Sequence, residues 1–296
     1  MTIEHRQSGR SLVALSLTVI YAVCFAAIKA GLPYAPPLWF AGLRALLSGV
    51  ALLGLLALLQ RPLLPPRGSW PGIIALGLTS TTIGFGAMFL SPGRVGAGIA
   101  SVLGNLQPLI VPALAALFLA ERMTPGKWAA LALGMSGVTL IASPALAGSN
   151  AYDISGAVLA LAASSGLAVG SIIVKRIGST VHLLILSAWQ LVVGSLPLLT
   201  VSSLVEREAV IWNFAFVGLL LFLVLIGTAL ANAVWYWLIR GNDVGRITMF
   251  FFLVPVLGLV FAALTFEEKI TLQESFGIAV ILVGIGAVVR DVGREI

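Results

Sequence analysis

Between Ser11 and Val289 almost every stretch of about 20 residues is apolar enough to cross a hydrocarbon core roughly 30 Å thick. Lipid offers no partner for a free backbone N–H or C=O, so such a chain crosses as helices or as a closed barrel. A barrel needs alternating polar and apolar residues, whereas Ala51 to Leu59 (ALLGLLALL) and Leu219 to Gly227 (LLLFLVLIG) are apolar on every face. The chain is therefore read as an all-α integral membrane protein. Its 59% hydrophobic and 9% charged residues fit no aqueous domain, which carries about a quarter charged residues. Mean hydropathy is +1.09.

Polar or Pro/Gly-rich interruptions predict ten spans: 11–31, 38–60, 70–90, 95–119, 127–146, 153–174, 181–204, 213–238, 246–266 and 271–289. The connections are too short for a soluble domain. The start, MTIEHRQSGR ahead of an apolar run, has the charge and hydrophobicity of a signal peptide. The length of that run, and the recurrence of the same helix type, predict a retained first helix instead.

The net charge of +6 could suggest nucleic acid, but the basic residues lie singly between apolar blocks, so no nucleic-acid partner is expected. They read as topology markers. With the N-terminus inside, the cytoplasmic side collects Arg6, Arg10, Arg61, Arg67, Arg122, Lys127, Lys175, Arg176, Arg240, Arg246, Arg290 and Arg294. The outer side receives only Arg94, Arg207 and Lys269, with Lys29 and Arg44 near or inside helices. Both termini are thus expected in the cytoplasm. Cys24 is the one cysteine, which excludes an intrachain disulfide and a cysteine metal site. No cofactor is expected.

Sliding the sequence against itself exposes a repeat. A shift of 147 positions pairs Thr81 with Thr228, Gly98 with Gly245, Pro108 with Pro255, Glu121 with Glu268, Thr124 with Thr271 and Gly137 with Gly284. Earlier in the chain a shift of 146 pairs Lys29 with Lys175 and Arg44 with Gln190. The reading is two five-helix units, 1–147 and 148–296. Five is odd, so the second unit enters the membrane from the opposite side and the repeat is inverted. The charge count agrees independently, placing Glu121 and Arg122 inside and Glu268 and Lys269 outside.

The blocks Asn105 to Thr124 (NLQPLIVPALAALFLAERMT) and Leu253 to Thr271 (LVPVLGLVFAALTFEEKIT) share one plan: Pro, a gap of twelve, Glu, a basic residue, one more residue, Thr. A proline inside a spanning helix frees a carbonyl one turn back, so a bend is predicted there. This block resembles the helix-four to helix-five signature of the EamA family in the drug/metabolite transporter superfamily, and through both units the resemblance covers nearly the whole chain. It implies ten helices, inverted halves, internal termini, a bacterial inner membrane and a central pathway between the halves. The small loops and aromatic content look most like exporters of aromatic and other amino acids of the YddG type.

Every acidic residue falls in a loop or at a helix end, leaving no intramembrane carboxylate as a proton relay. The first helix lacks the Glu that small multidrug exporters of the same superfamily carry. That favours facilitated movement over carboxylate-based proton antiport. Twelve residues are candidates for substrate binding. Arg44, early in the second span, reads either as a counter-charge for a substrate carboxylate or as a snorkelling structural Arg. Thr81, Ser101, Asn105, Gln107, Ser165, Gln190 and Asn232 either line a wet cavity or bond a neighbouring helix. Tyr21 and Phe85 lie near mid-depth; Trp189 and Tyr236, the latter within the Trp235 to Trp237 run, are lining or anchoring aromatics. Gly166 and Gly170 read as a helix-packing pair.

The leading expectation is a secondary transporter exporting small amphipathic metabolites, amino acids including aromatic ones, by alternating access. The alternatives are a broader drug or metabolite exporter of the same superfamily and a non-transporting membrane scaffold. An intramembrane enzyme would need a nucleophile with a base, or a metal cluster, at membrane depth, and Cys24 with peripheral His182 supplies neither.

Overall fold

The structure is a computed structural model that describes residues 2–120, 123, 125–146, 154–177, 180–241, 244, 248, 251, 253–266 and 271–292. Glu121, Arg122, Thr124, Asp153, Asp243, Gly245, Arg246, Glu267, Glu268, Lys269, Arg294 and Glu295 lie outside the described residues. The charged ends of both signature blocks are among them.

Among the described residues ten helical segments follow one another: α1 Thr2–Gly31, α2 Pro37–Leu58, α3 Arg67–Val95, α4 Ala97–Leu119, α5 Pro125–Leu146, α6 Ile154–Ile177, α7 Leu183–Val205, α8 Phe214–Arg240, α9 Leu253–Phe266 and α10 Leu272–Val292. Among the described residues seven are long and apolar enough to cross a membrane: those numbered α1 to α4 and α6 to α8. Shorter apolar stretches, Val256–Thr265 and Ser275–Gly284, lie in α9 and α10. The outer faces carry large apolar side chains that water would not tolerate in such number, Leu58, Leu117, Phe214 and Leu264 among the most exposed.

The helices pack in a definite set of pairs: α2 with α7, α5 with α10, α1 with α9 and α4 with α6. Helix α3 rests on α6 and α7, while α8 rests on α1 and α2. Small residues allow the closest approaches. A Cβ on Gly77 of α3 would stand 2.9 Å from the Gln190 carbonyl of α7, and one on Gly49 of α2 would stand 2.8 Å from the Ala188 carbonyl. Gly166 and Gly170 of α6 both lie against α3, the first with room for nothing larger beside the Thr79 carbonyl at 2.5 Å.

Two helices depart from regular α geometry at one internal stretch. Gly77–Phe85 in α3 and Phe222–Leu230 in α8 wind as π-helix, whose i→i+5 turns take carbonyls out of their usual bonds. Helix α4 is also interrupted, but not as the sequence suggested. Its two halves, Ala97–Gly104 and Gln107–Leu119, meet at Asn105 and Leu106. Pro108 is the second residue of the new half, where its missing N–H costs nothing. The proline restarts the helix; it does not bend a continuous one. Gly96, between α3 and α4, has φ 80° with an extended ψ, a conformation left almost entirely to glycine.

Buried apolar side chains form two clusters. One collects Phe25, Phe40, Phe85, Phe89 and Phe216 near the α1–α2 connection. The other collects Leu17, Leu56, Ile73, Trp235, Tyr236 and Phe251 nearer the α2–α3 connection. Between them lies a cavity.

Candidate functional site

The cavity encloses about 710 Å³ of empty space, counted with the open solvent at its mouth. Its wall comes from α1, α2, α3, α4, α6, α7 and α8, with Phe251 ahead of α9. On α1 the lining residues Tyr21, Cys24 and Phe25 recur at i, i+3 and i+4, one face of a helix. Leu167, Gly170 and Ser171 do the same on α6, as do Asn232, Trp235 and Tyr236 on α8.

Offsets of 146 and 147 relate most of this wall to itself. Tyr21 answers to Leu167, Cys24 to Gly170, Phe25 to Ser171 and Arg44 to Gln190; Ser80 answers to Gly227, Phe85 to Asn232 and Met88 to Trp235. The positions match while the chemistry does not.

Arg44 shows the difference most clearly. It is only 2% exposed, the largest fully buried side chain here. Its Nε donates to Thr228 Oγ1 at 2.6 Å and its Nη2 to the Gly227 carbonyl at 3.1 Å, both in the π-helical stretch of α8. One turn on, Ser48 Oγ donates to the Val224 carbonyl of the same stretch at 3.0 Å. The guanidinium carbon stands 4.8 Å from the Phe85 ring centroid and 5.5 Å from that of Phe89. Nη1 is buried and has no hydrogen-bond partner among the described residues. In the matched place, Thr81 Oγ1 of the α3 π-helical stretch donates to Gln190 Oε1 at 2.7 Å. The same junction is thus built twice, once around a cation and once around a neutral amide.

Eight of the sequence candidates line the cavity: Tyr21, Arg44, Phe85, Asn105, Gln107, Gln190, Asn232 and Tyr236. Four do not. Thr81 is fully buried behind the wall, holding Gln190. Ser101 is spent on the Gly98 carbonyl at 2.8 Å and on close packing against Gly258 of α9. Ser165 is exposed, since its neighbour Ser164 takes the inward face of α6. Trp189, one residue and about 100° from Gln190, points elsewhere. Its Nε1 donates to the Leu63 carbonyl at 2.7 Å and its ring meets Trp70 edge-on.

Residues the sequence reading left out of the set include Cys24, Phe25, Met88, Leu167, Gly170, Ser171, Gly227 and Phe251. Helical spacing from Tyr21, Phe85 and Asn232, combined with the repeat offset, would have found most of them. Trp235 and Tyr236 both face inward while Trp237 is 46% exposed, so the aromatic run divides between cavity and exterior. No Asp, Glu, Lys or His stands in the described wall. No group of His, Cys, Asp and Glu able to hold a metal occurs among the described residues.

Two ends of the bundle are tied differently. At the α1–α2 end Glu206, following α7, accepts from the Leu38 and Trp39 amides at 2.8 and 2.9 Å, capping α2, and from Ser202 Oγ at 2.7 Å. Beside it the Ile211 amide donates to the Tyr34 carbonyl, and Trp39 packs edge-on to Trp212. At the α2–α3 end Arg176 Nη2 donates to the Phe118 carbonyl at 2.7 Å, and Trp189 holds Leu63.

A model of the EamA-like transporter family matches residues 10–143 and again 154–290. The chain belongs to the EamA-like transporter family. An uncharacterized transporter of Bacillus subtilis strain 168, YvbV, is 29% identical over 276 residues, covering 93% of this chain and 90% of its own length. A probable amino-acid metabolite efflux pump of Escherichia coli K12 is 28% identical over 283 residues, 92% of each chain. Its Salmonella typhimurium namesake is 29% identical with the same coverage. A solved crystal structure superposes with a TM-score of 0.71 over 94% of this chain and 96% of its own, at 16% identity, which establishes the shared fold. The EamA chain described here is thus a multi-pass membrane protein of a transporter family.

Proposed function

We propose that this EamA protein is a secondary transporter that exports small amphipathic metabolites, amino acids including aromatic ones, across a bacterial inner membrane by alternating access. The observation that carries the reading is the cavity wall, made of matched positions from residues 1–147 and 148–296 around a buried cation. The Escherichia coli and Salmonella relatives, each named a probable amino-acid metabolite efflux pump, point the same way.

We read the halves as an inverted pair. Support comes from the twofold match of the family model, from the two π-helical stretches, which overlap when the chain is shifted by 147 positions, and from the pairing of α2 with α7 and α5 with α10, each a helix against its own counterpart. With the termini inside, the α1–α2 end faces outward and the α2–α3 end faces the cytoplasm. Rocking of the halves would break the Glu206 and Trp39–Trp212 ties to open outward, and the Arg176–Phe118 tie to open inward.

In this scheme Arg44 Nη1 takes the cargo's carboxylate, while Tyr21, Phe25, Trp235 and Phe251 take an apolar side chain. The described wall offers no carboxylate for carrying protons, so movement is facilitated rather than proton-exchanged at that site. The largely aromatic wall also favours a second reading, a broader exporter of amphipathic metabolites. A screen of unlabelled competitors against labelled L-phenylalanine efflux from proteoliposomes, with and without an imposed proton gradient, tests both. Competition confined to amino acids and their acids, indifferent to the gradient, is the expected result. Competition by hydrophobic cations, or efflux that stops without the gradient, contradicts it.

A further inference from the structure

The described wall of the cavity holds one fixed cation and no fixed anion, and this imbalance bears on the cargo. Arg44 uses Nε on Thr228 and Nη2 on the Gly227 carbonyl and the Cys24 sulfur, none of them a carboxylate, so no acidic side chain of the described chain neutralises it. Burying such a charge is costly unless an anion joins it. The anion must then arrive with the cargo, and Nη1, buried and without a hydrogen-bond partner among the described residues, is the donor left for it. The matched position is neutral Gln190, so only one anionic group is provided for.

An ammonium group fares differently. The wall has no acid to meet it, and Arg44 repels it. Four of the six rings in the wall are already engaged: Phe85 lies under Arg44, and Phe251 packs on both Tyr21 and Trp235, at 5.1 and 4.5 Å between centroids. Amide groups of Asn105, Asn232 and Gln190 solvate an ammonium without balancing its charge.

We infer that the preferred cargo is a monoanionic apolar carboxylate without an amino group, such as an aryl hydroxy acid or oxo acid. Amino acids are carried through their carboxylate, with the ammonium as a handicap. This rests on the reading of the cavity as the transport site. Moving a lone carboxylate carries net charge, so an inside-negative membrane potential pushes it outward, whereas a zwitterion is indifferent to that potential. Export then needs no proton relay in the wall.

The test uses the full-length wild-type chain in liposomes with L-phenylalanine, phenyllactate and phenethylamine, which share a ring and differ in charge. Phenyllactate is expected to halve phenylalanine efflux at about one tenth of the concentration that unlabelled phenylalanine requires, with phenethylamine ineffective. Labelled phenyllactate efflux is expected to accelerate under a potassium–valinomycin potential negative inside, and phenylalanine efflux not to. Phenylalanine efflux that phenyllactate inhibits no better than phenylalanine does, or that phenethylamine inhibits equally well, overturns the inference and leaves the transport reading standing. If neither labelled compound moves faster than from protein-free liposomes, the transport reading falls and this inference with it.

Discussion

Arg44 was legible as an anomaly because a guanidinium within a spanning helix is costly, up to about 3 kcal/mol at the bilayer centre on insertion scales. Its two readings were not separable from sequence, since both predict a charged residue two turns into α2. The structure joins them: Arg44 is structural through Nε and Nη2, lines the cavity, and keeps a buried Nη1 with no partner among the described residues. The repeat supplies a suitable substitution, because Gln already occupies the matched position against a matched threonine. Arg44→Gln is therefore expected to fold, with a thermal midpoint in detergent within a few degrees of wild type. Arg44→Leu, which leaves Thr228 and Gly227 short of donors, is expected to lose about 1–3 kcal/mol. Glu206 is a second residue whose role the sequence hid, since an acid after a helix end says nothing about which distant amides it meets. Glu206→Ala removes acceptors from Leu38, Trp39 and Ser202 and should cost about 1 kcal/mol of stability, read as a lowered detergent melting midpoint.

At the scale of elements, the spans themselves were readable to within a few residues from Trp70 to Gly241, because hydropathy and turn residues act locally. What was not readable is where helices change their winding. Gly77–Phe85 and Phe222–Leu230 contain no proline, and their π-turns depend on partners in other helices: Gln190 and Gly194 for one, Arg44 and Ser48 for the other. Asn105 and Gln107 were placed at the break in α4 correctly, although Pro108 starts a helix where a bend was expected. The close approach of α3 and α7 depends on Gly77 and Gly194, each backed by the other's helix. Gly194→Val is expected to destabilise by about 1–3 kcal/mol through overpacking. Gly54→Ala, where a Cβ meets nothing within 4 Å, should be neutral or slightly stabilising. The comparison of their melting midpoints separates packing from composition.

For the whole molecule, the repeat offset carries more than hydropathy does, because positions it matches share one wall. Tyr21 with Leu167 and Phe85 with Asn232 share nothing chemically, yet they occupy matched positions around one cavity. Symmetry of position with asymmetry of chemistry gives the cavity a cationic, aromatic side at Arg44 and Phe85 and a neutral amide side at Gln190 and Asn232. No local pattern carries that information. It arises when two halves with different side chains close on the same space. The central claim is that cargo passes through this space and is held at Arg44. It is tested most directly by labelled L-phenylalanine efflux from liposomes holding equal, correctly folded amounts of wild type or Arg44→Gln. Efflux above protein-free liposomes for the wild type, with a fall of at least about tenfold in kcat/KM for the variant, is the predicted result. Equal efflux from both proteins would contradict the account.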